Sequence, residues 1–224
     1  NGKILQGPEV ADHALALLLA LSRNIKSHSL NQNTKNLRRP FELYKKKALI
    51  VGFGGIGKCI LERLDGFGMV VDVISEELPP LLSNLNSYYE ADEILKICKN
   101  YNVIISSAPL TKKTKKIFNQ KFFKMMKKDS IFINVSRGGL VDTKALLTKK
   151  INEKFWGIGL DVTDPEPLSS NHPLRKKKNV IITNHTAGLS DYNRSRAHEL
   201  IIKNLKRYLN NEPLFNQVNK AEGY

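Results

Sequence analysis

"KALIVGFGGIGKC", residues 47–59, decides the fold. Its first half is a short aliphatic run, Ala48 to Val51, that stops at Gly52. Such a run bounded by glycine predicts a buried strand. Gly52, Gly54 and Gly57 then spell G-x-G-x-x-G, and the segment Ile56 to Phe67 predicts a helix directly after it. Between a strand and a helix this hexapeptide is a device for holding a dinucleotide pyrophosphate. Gly52 permits the tight turn, Gly54 lets the backbone approach the phosphates, and Gly57 lets helix and strand pack closely. The helix N-terminus, through Gly55 and Ile56, offers free N–H groups and the positive end of a dipole. A purely structural glycine turn is the competing reading, and the strand–turn–helix context weighs against it.

Outward from this unit the chain alternates. Strands are expected at "MVVDVIS" (69–75), "VIISSAP" (103–109), "SIFINVS" (130–136), "FWGIGLDV" (155–162) and "NVIITN" (179–184). Helices are expected from Pro8 to Asn24, over 91–100, over 119–128 opened by Asn119, and over 142–154 capped by Asp142. A long helix over 190–211 closes the chain. Residues 27–36 read as a polar connector, and 76–86 as a loop broken by two prolines. Strands apolar on both faces, alternating with helices, predict an α/β fold with a doubly wound, Rossmann-like parallel sheet. Ligands of such sheets bind at the carboxyl ends of the strands.

The composition is that of an ordinary globular chain: 224 residues, 41% apolar and 25% charged. The longest apolar run, "ALALLLAL" (14–21), is too short to span a bilayer, so no membrane association is expected. Periodicity alone does not tell whether that run is core or subunit interface. Cys59 and Cys98 lack a metal or redox motif, so the chain reads as metal-free and cytoplasmic. The net charge of +15 invites a nucleic-acid reading. The lysines are scattered, however, with no interleaved aromatics, and a solvated lysine-rich surface is favoured.

The strand ends carry the chemistry. After the second strand an acid is expected to hold the adenosine ribose. Asp72 has the spacing but lies mid-strand; the tip is Ser75, followed by Glu76 and Glu77. Acids without a neighbouring Arg repel a 2′-phosphate, so NAD is favoured, with Ser75 or Glu76 at the ribose and NADP left open. Pro109 stiffens the loop expected on the adenine side. Arg137 leaves its strand before two glycines and reads as a phosphate clamp, a structural fork or a carboxylate binder. Asp161 ends the next strand, and Glu166 follows between two prolines. His185 stands at the tip of the last strand. A carboxylate beside an imidazole orients the ring and favours its charged form, which suits a general acid–base. His13, His28 and His198 read as structural, and His172 as fixing its own loop.

Six segments resemble, in order, the D-isomer-specific 2-hydroxyacid dehydrogenases: "VADHALALLLALSR" (10–23), "VGFGGIGKCILERLDGFGM" (51–69), "SSAPLTKKT" (106–114), "FINVSRGGLVDTKAL" (132–146), "GLDVTDPEPLSSNHPL" (159–174) and "NVIITNHTAG" (179–188). The resemblance implies an NAD-dependent oxidoreductase that passes a hydride between nicotinamide and a small 2-hydroxy or 2-keto acid. Arg137 would bind substrate, Glu166 support the histidine, and His185 exchange the proton. Asp161 would contact the nicotinamide carboxamide, and Pro109 and Thr114 the cofactor. A homodimer is implied as well. The family usually carries Asp where this chain has Ser75, and Pro where it has Asn184. Family members also begin with a substrate-domain segment, and none is seen ahead of residue 1. The expected layout is therefore a helix leaving a largely missing substrate domain (1–30), a dinucleotide-binding domain (31–188) and a helix returning towards the former (189–224). The alternatives are a catalytically weak dinucleotide-binding sensor or interaction module, and an inactive fragment.

Overall fold

The computed structural model describes residues 5–30, 38–76 and 82–218. Glu77 lies outside the described residues. Seven strands form one sheet: β1 (Lys47–Val51), β2 (Val70–Ile74), β3 (Ser87–Tyr89), β4 (Val103–Ser106), β5 (Ile131–Asn134), β6 (Gly157–Leu160) and β7 (Val180–Ile182). Their order is β3-β2-β1-β4-β5-β6-β7, and every pair is parallel. The order reverses direction between β1 and β4, which opens a crevice at their carboxyl ends.

The helices are α1 (Gly7–Ser22), α2 (Ile25–Ser29), α3 (Gly55–Gly66), α4 (Ile94–Ile97), α5 (Gln120–Met125), α6 (Thr143–Leu147), α7 (Lys149–Asn152) and α8 (Asn193–Leu209). Strand side chains alternate between two layers. Leu49, Val51, Ile104 and Phe132 face α4 to α7, in a core that holds Phe118, Phe122 and Phe123. Ala48, Ile50, Val103 and Ile133 face α1 and α3. In that second layer Leu15, Leu17, Leu18 and Leu21 are all buried, so "ALALLLAL" is core of this chain.

Two caps are as expected. Asn119 Oδ1 accepts from the amides of Lys121 and Phe122 at 2.9 and 3.1 Å, and an Asp142 oxygen accepts from Lys144 N at 3.2 Å. Four details differ from the expectations. The helix over 142–154 breaks at Thr148, whose backbone is extended (φ −61°, ψ 120°), giving α6 and α7. Only Ile94–Ile97 of 91–100 is α-helical, flanked by tighter 3₁₀ turns. The connector over 27–36 overlaps α2, and its residues 31–36 lie outside the described ones. The loop over 76–86 is followed by β3, a three-residue edge strand whose residues are only partly buried and give little apolar signal.

Asp72, buried in β2, serves that edge. It accepts from Asn86 Nδ2 and from the Tyr101 hydroxyl, each at 2.7 Å, and so ties β2 to the turn before β3. Its carboxylate is occupied by structure, away from the strand tip.

Helix α8 buries none of its residues. Ile201, Leu205 and Tyr208 are 63%, 57% and 70% exposed, so its apolar side has no cover among the described residues.

Candidate active site

The glycine turn behaves as its chemistry demands. Gly52 has φ +94°, and a Cβ there would lie 2.5 Å from the backbone of Ala108. Ser107 Oγ donates to Gly52 O at 2.6 Å, fixing the turn against the end of β4. A Cβ at Gly57 would stand 2.4 Å from Gly52 O, so α3 is pressed on the turn. A Cβ at Gly54 would meet nothing within 4 Å. The open side of the loop is therefore at Gly54, the N-cap of α3, where no side chain caps the helix. Bare amides, a dipole end and open space together fit a pyrophosphate.

Beside this loop lies a cavity of about 230 Å³. Gly52, Gly54, Ser75, Glu76, Pro109 and Thr114 all line it. Gly55, Ile56 and Gly57 form the first turn of α3 next to it. Thr114 also braces the wall: its hydroxyl donates to Pro109 O at 2.7 Å and accepts from Thr111 N at 2.8 Å. Ala91 and Ile117 line the cavity too, and sequence reasoning did not find them. Ala91 follows β3, which was itself unseen, and Ile117 carries no polar signal.

The remaining residues come from β5, β6 and β7, which are neighbours in the sheet. Arg137 follows β5 and is exposed. Its loop is held from below: Asn134 Nδ2 donates to Arg137 O at 3.0 Å, and Asn134 Oδ1 accepts from Ser136 N at 3.1 Å. Glu166 follows β6, and Thr163 N donates to its Oε2 at 3.2 Å. Its other oxygen, Oε1, pairs with His185 Nδ1. Both side chains are partly open to solvent, His185 at 47% and Glu166 at 38%. With Nδ1 engaged by the carboxylate, Nε2 is the ring nitrogen left for other partners.

His185 has φ +54°, in the left-handed region. Holding a non-glycine residue there costs about 1–3 kcal/mol and needs support from its surroundings. Asp161 supplies that support. Its backbone O accepts from His185 N at 2.8 Å. Its Oδ1 accepts from the Thr183 hydroxyl at 2.6 Å and from Thr186 N at 3.0 Å, and its Oδ2 from Ala187 N at 3.0 Å. His13 Nε2 adds a contact to Oδ1 at 3.3 Å. Burial raises the carboxyl pKa, but these donors outweigh it and hold the group well below the usual carboxylate range. Asp161 is thus a buried anion that clamps the His185 loop. One lone pair of Oδ2 is left by these bonds, which is the capacity a nicotinamide carboxamide would use.

His13, on sequence grounds a structural helix residue, reaches across 170 residues to Thr183, 2.9 Å away. No sequence signal near residue 13 points there. His172 fixes its own loop, accepting from Leu174 N through Nδ1 at 3.3 Å. Among the described residues no group of three metal-ligating side chains gathers. Among them, too, no helix is long and apolar enough to cross a membrane.

Comparison with known proteins gives the family and the fold. Residues 15–187 match the profile described as "D-isomer specific 2-hydroxyacid dehydrogenase, NAD binding domain". A glyoxylate reductase of Pyrococcus furiosus is 34% identical over 224 residues, covering 94% of this chain and 65% of the relative. A D-3-phosphoglycerate dehydrogenase of Methanocaldococcus jannaschii is 32% identical, over 94% of this chain and 41% of its own length. The chain thus spans about two thirds or less of these two relatives. Among solved structures, a Thermus thermophilus protein superposes with a TM-score of 0.82 at 31% identity, over 96% of this chain and 69% of the other. A Xanthobacter autotrophicus 2-hydroxyacid dehydrogenase crystallised with NADPH shares the fold, with a TM-score of 0.84 at 24% identity over 98% of this chain and 90% of the other. A doubly wound sheet, a glycine turn opening α3 and a matching profile over most of the chain lead to one conclusion: this chain belongs to the D-isomer specific 2-hydroxyacid dehydrogenases, through their NAD-binding domain.

Proposed function

We propose that the chain is an NAD-dependent oxidoreductase acting on a small 2-hydroxy or 2-keto acid. The observation that carries the reading is the His185–Glu166 pair at the carboxyl ends of β6 and β7, on the same carboxyl-end side of the sheet as the glycine turn after β1. The uncapped turn at Gly54 would hold the pyrophosphate, Ser75 or Glu76 the ribose, and the free lone pair of Asp161 the carboxamide. A nicotinamide dinucleotide, when bound, supplies or takes up the hydride.

The chain's own groups do the rest. Arg137 pairs with the substrate carboxylate through two parallel N–H···O bonds and so orients the neighbouring carbonyl. In reduction, protonated His185 gives a proton from Nε2 to the carbonyl oxygen as the carbon is reduced. In oxidation, neutral His185 removes it from the hydroxyl. Glu166 stabilises the charged ring and fixes its plane. The glyoxylate and phosphoglycerate relatives make a small 2-keto acid the substrate class to test first.

The solvent exposure of Arg137, Glu166 and His185 favours a second reading, a dinucleotide-binding module with little turnover. One experiment separates the two. NADH is titrated by fluorescence, then its oxidation is followed with glyoxylate, hydroxypyruvate and pyruvate. The first reading expects acid-dependent oxidation that disappears in His185→Ala. NADH binding with no oxidation above that of His185→Ala would select the second.

A further inference from the structure

We propose that His13 is a positioning residue for the reaction, acting on His185 through Thr183 and Asp161. The inference rests on the function proposed above and adds to it a residue on α1, outside the loops that carry the chemistry.

The proton arrangement follows from the contacts. Asp161 is ionised, so its oxygens only accept. The Thr183 hydroxyl, 2.6 Å from Asp161 Oδ1, must therefore donate to it. Thr183 has one hydroxyl proton, so its oxygen can only accept from His13 Nε2, 2.9 Å away. His13 must then carry its proton on Nε2, and the same N–H lies 3.3 Å from Asp161 Oδ1. The relay is directional: α1 donates to the end of β7, which donates to the end of β6.

Its consequence is a fixed carboxylate. His13 and Thr183 hold Oδ1, and this sets the plane of the group and aims Oδ2 at Ala187 N, 3.0 Å away. Thr186 N completes the grip on the residues just after His185. His185 itself donates its backbone N–H to Asp161 O. His185 is thus held on both sides of its left-handed backbone, and His13 is the one part of the clamp supplied from another layer of the fold. The side chain of His13 is 22% exposed, and Asp161 is 1% exposed, so water competes poorly at the far end of the relay. Helix α1 is anchored beneath it by Leu15, Leu17 and Leu18, which makes the donor rigid.

The test uses two substitutions and two readouts. His13→Leu removes the donor; His13→Gln returns an N–H close to the place of Nε2. Loss of the relay is expected to lower kcat by about 10–100-fold, the usual effect of a small misplacement of a reacting group. KM for the acid should stay within about twofold. His13→Gln should restore most of kcat. The second readout is amide hydrogen exchange at Thr186 and Ala187. It should accelerate about tenfold or more in His13→Leu and return towards the parent rate in His13→Gln, since exchange follows local opening. A His13→Leu protein with unchanged exchange at Ala187 overturns the proposal. Equal defects in both variants also overturn it, because a role in packing alone would not distinguish a donor from a hydrocarbon. Exchange needs no turnover, so it decides the role of His13 even where the reductase assay fails and the proposed function falls.

Discussion

Nδ1 of His185 meets Oε1 of Glu166, although nineteen residues separate them and each stands on a different loop. Sheet pairing brings them together: Leu160 at the end of β6 is level with Ile182 at the end of β7. The two loops therefore start side by side. Thr163 N and the clamp at Asp161 then aim the carboxylate and the imidazole at each other.

This pairing gives the first prediction. His185→Ala should lower turnover by about 10²–10⁴-fold, the contribution of a placed general acid–base, with NADH affinity almost unaltered. Glu166→Gln keeps a hydrogen-bonding partner but removes the charge, and should fall between the two. Steady-state kinetics beside NADH titration provides the check. Near-normal kcat in His185→Ala would end the assignment.

The glycine turn separates architecture from binding. Gly52→Ala places a Cβ 2.5 Å from Ala108 at φ +94°, so it should destabilise the domain by at least about 1 kcal/mol. Gly54→Ala places its Cβ in open space and should leave the melting temperature within a degree or two. Yet Gly54→Ala should weaken NADH binding about tenfold or more, because the methyl enters the space meant for phosphate. Thermal melts and fluorescence titration of both variants decide this. Equal NADH affinity in Gly54→Ala and the parent would mean that the phosphates do not bind there.

Asp161 ties stability to pH. Its folded-state pKa is depressed, so its stabilisation is complete above the ordinary carboxylate value of about 3.9 and is lost as pH falls below it towards the folded value. Asp161→Ala leaves the Thr186 and Ala187 amides without their acceptor and should cost about 1–3 kcal/mol at pH 7. The gap between parent and variant should narrow below about pH 4. Denaturant unfolding at pH 7 and pH 3 measures both values, and an undiminished gap at pH 3 would contradict the account.

Cofactor choice should follow Glu76, which lines the cavity beside Ser75. A carboxylate there repels a 2′-phosphate, so NADH should bind about five- to tenfold more tightly than NADPH. Glu76→Ala should shrink that ratio. Competitive titration is the measurement. Tighter binding of NADPH to the parent would give the choice to the Ser75 tip instead.

Much of this was legible in the chain itself. β1 and α3 announce themselves because a buried parallel strand is a continuous apolar run and the turn after it needs glycine. The tip positions of Arg137, Asp161 and His185 follow from the same strand pattern. Where signals were weak, tertiary contacts decided. β3 is a three-residue edge strand held largely by pairing with β2 and by the Asp72 link to Asn86, and neither is periodic in sequence. The break at Thr148 splits a pattern that reads as one helix. His13 shows most plainly what periodicity omits. Helical spacing places it on α1, but only the crossing of α1 beneath β6 and β7 brings it to Thr183 and Asp161.

Helix α8 has a consequence for how the molecule comes apart. Its first turns are fastened: Asn193 Nδ2 donates to Gly188 O, and Arg196 pairs with Glu9 of α1 while donating to Leu5 O at 3.2 Å. Beyond Arg196 the side-chain bonds of α8 among the described residues join it to the segment just after it, from Asn204 to Phe215 and from Arg207 to Pro213 and Glu212. This distal half can fray without disturbing the sheet, because opening it exposes little apolar surface that is not already in water. A protease should therefore clip it first, from its carboxyl-terminal end inward, and should stall near Arg196. The trimmed product should melt with the same cooperative transition as the intact chain.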